Sequence, residues 1–284
     1  MRTYTIRNIL VPIDFFPLSL KALEHAERIA KGSKATITLV HVIESIIEPY
    51  ATDQLHSTLA QAESDLQLEA SDELLTIATE SSKRSGARVL TKVVVGSIAA
   101  TINVVAKDID ADLIVMGTHG SMGFVDSLLG SSTYHVTQLC QVPVLSVHKG
   151  IARAGYKHII YPVRQRGRGL DKLPYALALA GLFKARVHVL GFANPRHGKP
   201  DKSISSQCRI VKEQFRVRGV AAVISYARGE HFAKTVIRTA LAYPDSITVL
   251  IQDHDFHLVD LFRKPFAQKV FQRAFAPVLT IPPR

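Results

Sequence analysis

Residues 7–42 read RNILVPIDFFPLSLKALEHAERIAKGSKATITLVHV: an apolar block, a stretch with helical spacing, then a second apolar block. The blocks ILVPI and, further on, LIVMG are almost wholly apolar instead of alternating, as in parallel strands covered on both faces. The pattern predicts strands near 8–13, 36–43, 88–95, 112–117 and 143–148. It predicts helices near 17–31, 55–86, 97–108 and 131–141, with Gly32 placed as a left-handed C-cap after the first. Strand–helix alternation with right-handed crossovers gives an open parallel sheet with helices on both faces. Such sheets bind ligands beyond the carboxyl ends of their strands, where the strand order reverses.

The chain is written twice. Residues 7–42 match 157–192 at an offset of 150 without a gap, so that Pro12 falls on Pro162, Ala30 on Ala180 and Val42 on Phe192. The segment 113–147 matches 248–281 with one residue missing, and 93–106 matches 225–238. The second copy lacks about 17 residues after its second strand. The expected fold class is α/β, with two tandem domains over 1–150 and 151–284, each a five-stranded parallel sheet with helices on both faces.

The strand ends of the first copy carry the candidate chemistry. Asp14 follows the first strand, His41 and Val42 end the second, and Gly96-Ser97 follow the third. After the fourth comes MGTHGSMGFVDSLLGSS (116–132), with glycines at 117, 120, 123 and 130. Glycines let a backbone turn sharply and approach a ligand with no Cβ in the way. Gly130-Ser131-Ser132 open the next helix, whose free N–H groups and positive dipole end suit an anion. A carboxylate suits ribose hydroxyls, and a backbone edge can pair with a base. Together these describe a nucleotide site. It is not a P-loop, because no GxxxxGK[ST] is present, and not a dinucleotide fingerprint, because the glycines follow the fourth strand. The plain alternatives are a tight connection for the glycines, a helix cap for Asp14, and a solvated loop position for His119.

VPID, LVHV and Gly-x2-Gly-x9-Gly-Ser (Gly117, Gly120, Gly130, Ser131), followed by VPVLSV, closely resemble the universal stress protein family. The resemblance extends over both copies, as two tandem domains of Rossmann-like, adenine nucleotide alpha hydrolase-like fold. It implies ATP or another adenine nucleotide as ligand, with Asp14 and Gly117 near the ribose and Val42 offering backbone to adenine. Gly120, Gly130, Ser131 and Ser132 would hold the phosphates, and Pro12, Met116 and His119 complete the surroundings. It further implies pairing of the two domains through their last strands, VPVLSV and APVLTI, as an intramolecular pseudo-dimer, and leaves a homodimer open. The second copy departs from the motif: Asp14 falls on Arg164, Gly117 on Gln252, Gly120 on Asp255, and Gly130-Ser131 on Lys264-Pro265. ATP binding is therefore expected in the first domain only.

Charge adds a contrast between the halves. Residues 1–150 hold 12 Lys and Arg against 16 Asp and Glu, and residues 151–284 hold 23 against 8, which together give the net +11. Arg164, Arg166 and Arg168 in RQRGR can be a solvated loop or an anion pocket. Nucleic acid is disfavoured, since no recognised motif accompanies the charge and the chain has no tryptophan. The Asp and His residues of QDHDFHLVD lack the spacing of a metal site; Mg²⁺ or Mn²⁺ is expected only through nucleotide phosphates. No apolar run approaches a membrane span, no export signal opens the chain, and the two cysteines lie far apart, which points to the cytoplasm. No catalytic set is evident, so the expected role is a nucleotide-dependent stress-response sensor or adaptor. A slow ATPase or a nucleotidyl or phosphoryl transferase is the enzymatic alternative, and an interaction scaffold with a vestigial site the third.

Overall fold

The computed structural model describes residues 3–44, 53–118, 131–148, 155–163, 169–192, 202–227, 232–252 and 276–283. The first half runs β1 (Asn8–Pro12), α1 (Pro17–Ser33), β2 (Thr36–Ile43), α2 (Asp53–Ser85), β3 (Val89–Val95), α3 (Ile98–Asp108), β4 (Leu113–Gly117), α4 (Ser131–Leu139) and β5 (Val144–Val147). The second runs β6 (His158–Val163), α5 (Leu173–Phe183), β7 (Arg186–Phe192), α6 (Lys202–Arg216), β8 (Ala222–Ala227), α7 (Phe232–Ala242), β9 (Ser246–Ile251) and β10 (Val278–Ile281). The strands form one sheet in the order β3-β2-β1-β4-β5-β10-β9-β6-β7-β8. Each half thus repeats the order 3-2-1-4-5 as a parallel five-stranded sheet. The halves join edge to edge where β10 runs antiparallel to β5, with Leu279 opposite Leu145.

Alternate residues of the near-continuous apolar strands feed two layers, as expected for strands buried on both sides. Ile9, Val11, Leu39, Val115, Ile159 and Val189 face one layer built by α1, α2, α5 and α6, a single apolar core that crosses both halves. Leu10, Val40, Ile114 and Met116 face the other, under α3 and α4. On that second side α7 covers β6 and β7 through Ala240 and Val236. Helices α1 and α5 meet across the seam. There the buried His25 Nδ1 lies 2.5 Å from the Tyr156 hydroxyl, and the Tyr4 and Tyr175 rings are 4.3 Å apart.

Two sequence expectations are corrected here. Gly32 is not the C-cap of α1: the helix continues to Ser33, and Lys34 takes the left-handed conformation (φ 59°), its N–H donating to Ala30 O at 2.6 Å. The absent Cβ of Gly32 serves the seam instead, because one built there would stand 2.6 Å from Leu182 Cδ1 of α5.

The alignment of the two copies also shifts by one residue. Ile114 pairs with Val144 and Thr248 with Val278; Thr118 N–H donates to Val147 O and Gln252 N–H to Ile281 O. Ile251, not Gln252, therefore stands where Gly117 stands, and 113–147 matches 247–281 with nothing missing. A like shift sets Ala227, not Tyr226, in the place of Val94, since Val94 pairs with Val42 and Ala227 with Phe192. Runs of interchangeable apolar residues mark no register of their own, whereas the backbone ladder does.

The halves also differ in their first helix, for α5 begins six residues later than its counterpart: Pro17 of α1 corresponds to 167, yet α5 starts at Leu173. Pro174 explains the delay, since the residue before a proline resists the helical region and a proline is favoured in a first turn.

Candidate nucleotide site

The strand order of the first half reverses between β1 and β4. Their register holds at Ile9↔Leu113 and Leu10↔Ile114 and goes no further. Yet β1 stays paired with β2 to Pro12, and β4 with β5 to Gly117. The two strands therefore diverge toward their carboxyl ends. Helix α1 leaves on one face of the sheet and α3 and α4 pack on the other, which is the geometry that opens a crevice in this class of fold.

Pro12 and Asp14 stand at the β1 side of this crevice, Val42 near the end of β2, Met116 and Gly117 at the end of β4, and Ser131 and Ser132 open α4. His119, Gly120 and Gly130 lie outside the described residues, as do Arg164, Arg166, Arg168, Asp255, Lys264 and Pro265 of the second half.

The turn after β1 is wired locally. The Asp14 carboxylate accepts the Phe16 N–H at 3.1 Å, the Asp14 N–H donates to Ser19 Oγ at 3.3 Å, and that hydroxyl donates to Phe16 O at 2.9 Å. Phe16, not Asp14, is the N-cap of α1 and has no side-chain cap bond. A carboxylate has room for several donors, so one turn bond leaves acceptor capacity on Asp14. Phe15 between them sits at φ 61°, an uncommon place for an aromatic residue. Its ring packs 4.5 Å from that of His41. His41 Nδ1 donates to Ile13 O at 2.8 Å, which leaves Nε2 as an acceptor in the neutral ring.

Gly117 has a cause that no ligand need supply. A Cβ there would lie 3.0 Å from the backbone carbon and oxygen of Leu18, so the first turn of α1 rests directly on the end of β4. Across the 119–130 segment, the buried Thr133 hydroxyl donates to Gly117 O at 2.8 Å and ties the start of α4 to the end of β4. Thr133 and the Phe15–His41 pair were not singled out by sequence reasoning. A threonine three residues past Gly130 was the available signal for the first; the second depends on a positive φ that no residue pattern announces.

The electrostatics of this end favour an anion. Of the four helices that follow β1 to β4, α1, α3 and α4 have no acidic residue in the first turn, while α2 opens on Asp53. The N–H groups and dipole ends of those three are thus not neutralised by first-turn carboxylates of the chain itself. Ser97 caps α3 with extended backbone (φ −71°, ψ 126°) and makes no side-chain cap bond. The arrangement offers glycine backbone, hydroxyls and helix starts on one side and a carboxylate on the other. Among the described residues no group of three His, Cys, Asp or Glu side chains is set to hold a metal ion, and no helix is long and apolar enough to cross a membrane.

Comparison with known proteins gives a family and a fold. The model of the universal stress protein family matches residues 5–148. Universal stress protein MJ0531 of Methanocaldococcus jannaschii is 32% identical over 143 residues, 50% of this chain and 82% of that protein. Universal stress protein G of Salmonella typhimurium is 32% identical over 146 residues, 50% of this chain and 98% of that one. A crystal structure of a universal stress protein from Archaeoglobus fulgidus superposes with a TM-score of 0.73 at 16% identity, over 99% of this chain and 97% of the other. At that identity the likeness speaks for the whole two-halved fold and for nothing finer.

Proposed function

This chain belongs to the universal stress protein family, and on that premise we propose that its first domain, 1–150, binds an adenine nucleotide, ATP foremost, in the crevice between β1 and β4. The observation that carries the reading is the meeting of a glycine-rich strand-to-helix connection with three helix starts whose first turns hold no carboxylate. A triphosphate supplies the negative charge that such an end lacks. Asp14, with acceptor capacity left over, suits the ribose hydroxyls, and the backbone at Val42 suits the base edge. Gly117 and Gly120 give close approach, and Gly130, Ser131 and Ser132 hold the phosphates, with Pro12, Met116 and His119 around them. Mg²⁺ or Mn²⁺ would enter through phosphate oxygens and water rather than through a protein cage.

The second domain, 151–284, is read as not binding nucleotide. Bulky Ile251 stands where Gly117 would be needed, and in the sequence a proline, which has no N–H to donate, falls on the place of Ser131 at 265. The chain then acts as a nucleotide-dependent stress-response sensor or adaptor, with phosphates positioned and no group set to activate water. The last-strand pairing makes it a pseudo-dimer within one chain. Gly120→Val combined with Gly130→Val is expected to lower affinity for a fluorescent ATP analogue at least 100-fold while the circular dichroism spectrum stays that of the parent. Undiminished affinity in the folded double variant would overturn the assignment.

A further inference from the structure

The second half has a crevice of its own, and the chain bridges it. Strands β6 and β9 stay in register only to Ile160↔Thr248, while β6 continues beside β7 to Val163 and β9 beside β10 to Ile251. They diverge as β1 and β4 do. Beyond the last paired residues the carbonyls of Pro162 and Val249 are held by one side chain: Lys172 Nζ donates to Pro162 O at 2.6 Å and to Val249 O at 3.0 Å. The same nitrogen sits 4.5 Å from the centroid of the Tyr161 ring. Tyr161 is fixed in turn by its hydroxyl, which donates to Gly169 O, and by edge contact with Phe215. Lys172 is 4% exposed, and its counterpart at the offset of 150 is Ala22, wholly buried in the first half.

Helix-start chemistry does not explain a lysine here. Lys172 is the N-cap of α5, a position that favours small acceptors, and its side chain makes no cap bond. A cation beside a helix N-terminus is also opposed by the dipole. The long side chain instead reaches two carbonyls and a ring face, which take up its amine in place of water.

We infer that the second half holds a built amine site at its strand-order reversal, occupied by the chain's own Lys172, which ties β6 to β9 beyond their last paired residues. Small alkylamines are the ligand class that would fit the same carbonyls and ring were the side chain removed. This does not depend on nucleotide binding by the first half.

The charge on this amine has a readable consequence. Burial pushes its pKa down to about 7 from the usual 10.5, with no opposing charge contributing. The groups that face it are the Tyr161 phenol from β6 and the two carbonyls from β6 and β9, with Asp171 beside it on its own turn acting on Tyr161. Between about pH 7 and 10 the unfolded chain keeps a proton that the folded chain has released, so stability contributed through Lys172 rises with pH.

Urea unfolding of the full-length protein and of Lys172→Met at pH 7.0 and 9.0 tests this. The unfolding constant of the parent should fall roughly 50-fold more than that of the variant across the interval: two pH units, less the half proton that the folded amine still holds at pH 7. Equal pH dependence of the two would overturn the inference. Lys172→Ala should recover stability with propylammonium chloride, the source of propylamine, beyond what sodium chloride gives, the parent showing no such gain; absence of recovery would likewise count against an amine site. Should neither variant fold, acylation of the native parent at pH 8 with peptide mapping decides. Lys172 should react at least 100-fold more slowly than the exposed Lys157, and comparable rates would refute a held, buried amine.

Discussion

Lys34 and Lys184 end α1 and α5 in the left-handed conformation, at φ 59° and 50°, and each N–H reaches back to an alanine carbonyl, Ala30 O or Ala180 O. The two stand at the repeat offset of 150, so both copies close their first helix in the same way. A side chain costs about 1 kcal/mol or more in that conformation and glycine does not, although glycine loses more entropy on folding. Lys34→Gly and Lys184→Gly should each stabilise the protein by about 0.5 kcal/mol. The double variant should melt a few degrees higher; a fall in Tm would contradict the geometry. The same residues show a limit of reading glycines from sequence. Gly32 looked like the cap and is a contact with Leu182; Gly117 looked like a ligand contact and already has a packing cause in Leu18. A residue pattern says that a Cβ is absent, not which neighbour requires its absence.

At the scale of elements, the seam between α1 and α5 rests on a titratable pair. His25 is fully buried against Tyr156, and burial, with Lys21 and Arg28 adding repulsion, takes its pKa down to about 4 from 6.5. The folded state therefore holds this ring neutral. Stability owed to it is complete above pH 6.5 and is lost as pH falls from 6.5 toward 4, an effect of up to about 3 kcal/mol. His25→Phe, which keeps a ring in the seam, should flatten that acid limb in pH-dependent thermal unfolding. An unchanged limb would place the acid sensitivity elsewhere. The elements themselves were largely legible, with β1 to β5 lying within a residue of their expected limits, because apolar runs and helical spacing are local signals. What was hidden depended on tertiary detail: the late start of α5 on Pro174, the one-residue register of β8 and β9, and the lysine that bridges β6 and β9 where they diverge.

For the whole molecule, the antiparallel meeting of β5 and β10 turns two like halves into one ten-stranded sheet, with a core that crosses the seam on one face. The two crevices are thereby placed in one body and differ in content: one is bordered by helix starts without acidic first turns, the other is bridged by Lys172. Of the candidate nucleotide site, the strand ends and the glycine spacing could be read from the sequence, and the Thr133 tie and the Phe15–His41 pair could not. The measurement that goes most directly to this account is calorimetric titration of nucleotide-stripped protein with Mg-ATP, followed by a product assay on the same sample. The account predicts one site per chain and no turnover. Two sites per chain, or none, would contradict it.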